Sequence, residues 1–171
     1  MGPLLQPRNK IAFEAVAVVA AVDAAGKLVQ PLCRPTAIDQ HDFADWLTML
    51  RGNYDHGKTL YVLVDNLGVH KTKKVREHCQ HLDVVLIFNG AYSSAFNPVE
   101  RLWALGKRSF VRNCLTAENF KDKGRVQEMV VDSLCTASTH TMARHVRRCL
   151  HDMREWLEDY NLINRDDKPG Q

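Results

Sequence analysis

The sequence predicts an α/β domain, and three observations support this class. Two short runs of apolar residues, at 59–64 and 84–88, are typical of buried parallel strands. A segment with helical spacing lies between them, and three more follow. A strand-turn-strand pattern and a further helix precede the first run. The order of hairpin, helix, strand, helix, strand and three helices is that of alternating strands and helices.

The first part of the chain divides into a lead-in, a hairpin and a helix. Residues 1–10 are polar and contain prolines, so we expect a flexible lead-in. Residues 11–22 are rich in Val, Ala and Phe and predict a strand, and residues 23–27 predict a turn before a second strand at 28–33. A stripe of apolar residues at i, i+3, i+4 and i+7 predicts a helix at 42–50.

The remaining segments read mainly as helices. Residues 70–81 predict a helix between the two buried strands. Asn97 and Pro98 are typical of an N-cap and a first helical position, and they open a helix that runs to about residue 112. Two more helices are predicted at 125–136 and 139–160, and residues 161–171 are expected to be a tail. One domain would thus cover residues 11–160.

Composition excludes several classes of protein. The chain has 171 residues and a formal net charge of +3, which neither requires nor excludes a nucleic-acid partner. No apolar run is long enough to span a membrane, so we expect neither secretion nor membrane insertion. We expect a nuclear protein in a eukaryote and a cytoplasmic one in a bacterium. The five scattered cysteines predict free thiols that act as small core residues, and the three tryptophans are also expected in the core.

Two acids occupy positions that are typical of active sites. Asp65 directly follows the first buried strand, and Glu100 lies in the first turn of the helix that follows the second. The carboxyl ends of parallel strands meet at one edge of a sheet, which would bring the two carboxylates together. Hard oxygen ligands favour Mg²⁺ or Mn²⁺. Structural explanations are equally open: Asp65 could form a turn, and Asn97 and Glu100 could form a capping box.

Two sequence blocks contain these acids. They are VDNLGVHK at residues 64–71 and AYSSAFNPVERLW at residues 91–103, with thirty-four residues between Asp65 and Glu100. The blocks and their spacing resemble the DDE transposases of the mariner superfamily and related transposases of bacterial insertion sequences. In that family the blocks have the forms D-N-x-x-x-H-K and P-Y-S-P-x-L-N-P-I-E-x-x-W.

The resemblance implies an RNase H-like mixed sheet flanked by helices. It also implies an enzyme that cuts DNA at transposon ends and joins it to target DNA with two Mg²⁺ or Mn²⁺ ions. Asp65 and Glu100 would be catalytic residues and metal ligands, while His70 and Lys71 would lie near DNA at the edge of the site. The supporting loop residues would be Asn66, Tyr92, Ser93, Asn97 and Pro98.

One part of the family pattern is missing. In the family, the first catalytic Asp lies on a central strand before the hairpin, whereas only ten residues, none of them acidic, precede the hairpin here. We therefore expect that the first strand is absent and that the chain is N-terminally truncated. It would be a fragment, a truncated gene copy, or a piece completed by a second chain or by a homo-oligomer. Glu14 and Asp23 are the nearest acids, and neither is expected to replace the missing ligand.

Basic residues are concentrated on both sides of the two acids. One cluster follows Asp65, and the other follows Glu100; besides Lys71, the residues predicted to bind DNA are Lys73, Lys74, Arg101, Lys107 and Arg108. Solvated helix faces are the alternative explanation.

Three functions are therefore open at this point. The first is a metal-dependent DDE transposase or endonuclease. The second is a catalytically inactive remnant, truncated or domesticated, that binds DNA or protein. The third is an unrelated α/β binding domain that matches by chance, in which the two acids would lie far apart.

Overall fold

A computed structural model describes residues 16–90, 93–116 and 123–166. Their α/β organisation agrees with the predicted class. Short 3-10 helices at Gly68–Lys71 and Ser94–Phe96 accompany the longer elements. In chain order, those elements are β1 (Ala17–Val22), β2 (Leu28–Arg34), α1 (Gln40–Arg51), β3 (Leu60–Val64), α2 (Lys73–Leu82), β4 (Val84–Phe88), α3 (Val99–Thr116), α4 (Lys123–Cys135) and α5 (Thr139–Asp166).

The strands form two small sheets. β1 and β2 are an antiparallel hairpin, and β3 and β4 are a parallel pair in which Val64 lies opposite Phe88. Within the described residues no strand joins the hairpin to the parallel pair, so the predicted mixed sheet is present as two separate pairs. The parallel pair determines the position of the candidate site, because both of its strands end at the same edge.

Two apolar clusters hold these elements together. The first joins α1 and α2 to the parallel pair and contains Phe43, Trp46, Leu47, Val64 and Val75. The second joins α3, α4 and α5 around Leu102, Leu134 and Met142, and partly buried residues of the hairpin pack against it. Val29 of β2 lies in the first cluster, so the hairpin contributes to both clusters.

Among the described residues, the parallel pair is covered on one face only. Leu60, Val62 and Val64 pack into the first cluster. On the opposite face, Tyr61 is 65% exposed, and Val85 and Ile87 are also exposed. The prediction that both apolar runs are fully buried strands was therefore wrong for this face among the described residues.

Some boundaries differ from the predicted ones for local reasons. The helix predicted at 70–81 is divided at Thr72, which has an extended backbone. The Thr72 hydroxyl caps α2 by accepting a hydrogen bond from Val75 N at 3.3 Å. Helix α5 continues to Asp166, so residues 161–166 are helical rather than a tail, and no Gly or Pro interrupts the sequence between 139 and 166. The lead-in at residues 1–10 and Glu14 lie outside the described residues.

Two of the residues that were predicted to lie in the core are exposed. Trp46 is buried, but Trp156 is 52% exposed on α5. Cys79 is buried and Cys135 is exposed, and all five thiols are free. Among the described helices, none has the length and apolar character needed to cross a bilayer.

Candidate active site

Asp65 lies at the carboxyl edge of the parallel pair, directly after Val64. Its side chain is about half exposed, and Oδ1 lies 3.0 Å from His70 Nδ1. The carboxylate does not accept a backbone hydrogen bond from the residues that follow it. Asp23 shows what a turn-forming aspartate does in this chain, since its Oδ1 accepts from Ala25 N and Lys27 N at 2.9 and 2.8 Å. Asp65 is therefore not a turn former of this kind.

His70 is buried between Asp65 and α1. Its ring centroid lies 4.2 Å from that of Phe43, and its side chain is only 11% exposed. Nδ1 also lies 3.2 Å from the main-chain oxygen of Asp65. Both neighbours of Nδ1 are acceptors, so Nδ1 must donate. The side chain predicted to contact DNA is thus directed into the protein, toward Asp65.

A series of hydrogen bonds connects the end of β3 to the start of α3. Asn89 N donates to Val64 O at 2.8 Å, and Asn66 Nδ2 donates to Asn89 O. Asn89 Nδ2 then donates to Ser93 O at 2.7 Å. Asn97 N donates to Ser94 O at 2.9 Å, directly before α3. The two blocks of sequence are therefore held in one hydrogen-bonded frame.

The start of α3 presents Glu100 to solvent. Asn97 is 8% exposed, and its Oδ1 accepts from Val99 N at 3.3 Å, which agrees with its predicted role as a helix cap. The helix begins at Val99, so Pro98 lies in the preceding turn. Glu100 is exposed in the first turn, and its carboxylate contacts no other described side chain or amide.

The capping-box explanation of Glu100 does not hold. In α1 the box is complete, because Asp39 accepts from Asp42 N and the Asp42 side chain accepts from Asp39 N. At α3 the corresponding amide, Asn97 N, instead donates to Ser94 O. The Glu100 carboxylate therefore remains available to a ligand.

The donor set suits a hard divalent cation only in part. Asp65 and Glu100 offer carboxylate oxygens, the ligands that Mg²⁺ and Mn²⁺ prefer. Neither belongs to a group of three side chains whose ligand atoms converge within the described residues. The group that does is His151, Asp152 and Glu155 on the exposed surface of α5, where Arg148 Nε already binds Asp152 at 2.8 Å.

The basic residues after Asp65 do not act as one cluster. Lys71 Nζ lies 5.4 Å from the centroid of the Phe88 ring, at the same sheet edge as Asp65. Lys73 pairs with Glu77 at 3.6 Å, and Lys74 contacts His41 at the start of α1. Of these basic residues, Lys71 is thus the one that lies beside the candidate site.

Arg101, the first basic residue after Glu100, lies near His145 of α5. Burial, followed by the charges of Arg101 and Arg144, lowers the pKa of His145. Arg101 and Arg144 therefore each lie close enough to His145 to act on its imidazole. Lys107 and Arg108 are exposed further along α3.

A family model for the DDE superfamily endonucleases matches residues 5–127, which is most of the chain. The chain belongs to the DDE superfamily endonuclease family. The match includes both acids, the frame between them, and helix α3. No curated protein matches this sequence. In this DDE superfamily endonuclease, Asp65 follows β3 directly and Glu100 lies in the first turn of α3.

Two contributors to the candidate site of this DDE superfamily endonuclease are not evident from the sequence motifs. Asn89 links both blocks through its main chain and its side chain; an Asn directly after an apolar strand was the available signal. The Phe43 ring packs against the His70 ring, but the sequence indicates only that Phe43 is a core residue of α1. Tyr92 lies outside the described residues, whereas Ser93 accepts from Asn89 as a loop residue.

Proposed function

We propose that this chain is the catalytic domain of a mariner-type DDE transposase, which cuts DNA and joins the freed end to a target. The observation that supports this most directly is the state of the two motif carboxylates. Asp65 and Glu100 follow successive parallel strands, and neither is engaged in the local turn or capping box that would explain it structurally. Acids in such positions are available for a ligand.

In this proposal Asp65 and Glu100 hold Mg²⁺ or Mn²⁺. The bound ions would activate an attacking oxygen and stabilise the leaving oxygen of a phosphodiester. The hydrogen-bonded frame through Asn66 and Asn89 would fix the separation of the two carboxylates. A third acid, which the resemblance implies, would come from outside the described residues or from a second chain in a homo-oligomer.

DNA is the proposed substrate, and its phosphates would follow the positive charges beside the site. Lys71 lies at the sheet edge over Phe88, and Arg101 directly follows Glu100. Such contacts position DNA without reading its sequence. The exposed residues Lys107, Arg108 and Arg144 would extend this path along α3 and α5.

The deciding experiment is nicking of supercoiled plasmid DNA in the presence of Mn²⁺. We expect that the purified chain nicks the plasmid and that Asp65→Asn and Glu100→Gln each lower the rate by at least about 100-fold, since each removes a metal ligand. Asp45→Asn and Glu128→Gln are matched controls, because both change exposed acids on other helices. Circular dichroism establishes that all variants are folded.

The outcomes separate the candidate functions. Nicking that survives both substitutions contradicts the proposed catalytic residues. A folded chain without nicking, with or without Mn²⁺, contradicts catalysis by this chain alone and favours a remnant that binds DNA or protein. Addition of a segment that supplies an acid would then distinguish a split enzyme from a remnant.

A further inference from the structure

His70 combines features that a DNA contact does not need. The described residues contain four buried polar or charged side chains: Arg51, His70, Asn97 and Ser133. His70 is the one among them that contacts a proposed metal ligand, and it does so through a single atom, Nδ1. We infer that His70 is a positioning residue, which orients the Asp65 carboxylate for metal binding; this inference rests on the proposed function.

The geometry explains how one ring atom can orient Asp65. Nδ1 lies 3.0 Å from Oδ1 and 3.2 Å from the main-chain oxygen of the same residue. Nδ1 donates to the main-chain oxygen, and its close approach to Oδ1 restrains the side-chain torsions of Asp65 relative to its own backbone. Oδ1 thereby lies against the imidazole, while Oδ2 accepts no hydrogen bond from a described residue and is available for the cation.

The imidazole is itself held from two sides. Its ring packs against Phe43, which is 1% exposed on α1. Its main chain lies in the 3-10 helix Gly68–Lys71, where His70 N donates to Leu67 O at 3.2 Å. Thr72 Oγ1, at the start of α2, donates to Val69 O at 3.3 Å. The ring therefore has little freedom, and Nδ1 is a fixed donor rather than a mobile one.

The inference assigns two separable properties to this side chain. The ring contributes packing against Phe43, and Nδ1 contributes the orientation of Asp65. A purely structural histidine would have only the first property. Outer partners of metal ligands characteristically change metal affinity about 10- to 100-fold when they are removed.

Substitutions can separate the packing of the ring from the orientation of Asp65. His70→Phe keeps an aromatic ring on Phe43 but removes the donor. His70→Asn places an amide nitrogen at the same number of bonds from Cα as Nδ1, so it keeps the donor but loses the ring. His70→Gln places its amide nitrogen one bond further, near the position of Nε2, and serves as the matched amide control.

The readouts are the Mn²⁺ affinity of the full chain, measured by electron paramagnetic resonance of free Mn²⁺, and the thermal midpoint. Asp65→Asn defines the binding that is independent of Asp65, including any binding at His151, Asp152 and Glu155. We expect that His70→Phe retains the thermal midpoint and weakens the Asp65-dependent affinity by about 10-fold or more. We expect that His70→Asn lowers the midpoint but retains more affinity than His70→Gln.

Each contrary result has a distinct meaning. If Mn²⁺ affinity follows the thermal midpoint across the three variants, His70 is only structural and the inference is overturned. If Asp65→Asn leaves Mn²⁺ binding unchanged, Asp65 is not a ligand and the proposed function fails with it. If His70→Phe does not fold, the comparison of the two amide variants decides, and equal affinities would contradict the inference.

Discussion

Individual carboxylates in this chain fall into two groups according to what they bind. Asp23 and Asp39 accept backbone amides in a turn and in a helix cap. For Asp39, these hydrogen bonds, first from Asp42 N and then from His41 N, lower the pKa of the carboxyl group. The Asp65 carboxylate instead lies 3.0 Å from a buried imidazole, and Glu100 is exposed on α3. Acids of the second group are candidates for ligands because the fold does not use them locally.

Arg51 stabilises the fold through a buried guanidinium group. It is 1% exposed and donates to three main-chain oxygens: Leu82 O at 2.9 Å, Asp55 O at 3.0 Å and Lys58 O at 2.8 Å. A lysine cannot reach all three, and buried acceptors that lose a donor are costly. We expect that Arg51→Lys lowers the free energy of unfolding by about 3 kcal/mol, as measured by urea denaturation.

The control for this substitution is Arg76→Lys, which changes an exposed arginine on α2. A surface substitution of this kind is expected to alter the free energy of unfolding by no more than about 0.5 kcal/mol. Equal midpoints for the two variants would show that the three hydrogen bonds of Arg51 contribute little.

At the scale of elements, the turn of the hairpin is packed against the start of α5. Gly26 has a φ of +82°, and a Cβ there would lie 2.2 Å from Ala143 N and 2.5 Å from Thr139 O. Both neighbours are main-chain atoms, so they cannot move aside as a side chain can. The close approach of hairpin and helix therefore depends on the absence of a side chain at this position.

We expect that Gly26→Ala lowers the free energy of unfolding by at least about 2 kcal/mol, because it combines backbone strain with a steric clash. Gly52→Ala is the control, since Gly52 has a φ of −61° and the nearest atom to its Cβ would be Met49 O at 3.5 Å. Urea denaturation checks both variants. Equal stability of the two would mean that α5 does not rest on the hairpin turn as described.

Elements with regular patterns could be predicted from the sequence, and those defined by single side chains could not. The bounds of the strand at Val84–Phe88 were predicted correctly, because its apolar run ends at turn residues on both sides. The division at Thr72 depends on one hydroxyl group, which periodicity does not reveal. The frame at Asn89 depends on hydrogen bonds between distant residues. The two acids could be named from motifs, but their lack of local partners required coordinates.

At the scale of the whole molecule, net charge gives little information about DNA binding. The formal charge is only +3, so any affinity for DNA must come from the distribution of the basic residues. Lys71 and Arg101 lie beside the two candidate acids, whereas Lys58 precedes β3 and thus lies toward the opposite end of that strand from Asp65. The proposed DNA path therefore includes Lys71 and excludes Lys58, although the two lysines contribute equally to the net charge.

We expect that Lys71→Ala and Arg101→Ala each reduce the slope of log K against log salt for DNA binding by about 1, and weaken binding similarly for all DNA sequences. Lys58→Ala is expected to leave the slope unchanged. Fluorescence anisotropy with labelled duplexes at several salt concentrations provides the measurement. A change in slope for Lys58→Ala equal to that for Lys71→Ala would contradict the proposed surface.

The frame that links Asp65 to Glu100 also has a kinetic consequence. β3, α2, β4 and the start of α3 form one uninterrupted stretch of chain, so their contacts close short loops. The contact between Gly26 and α5 joins residues that are far apart in sequence and closes a much longer loop. Short loops close at a lower entropic cost. The acid-bearing stretch can consequently begin to assemble before the C-terminal helix docks, and the loop before Glu100 gains its contacts with α5, at Ala95 and Phe96, in that later step.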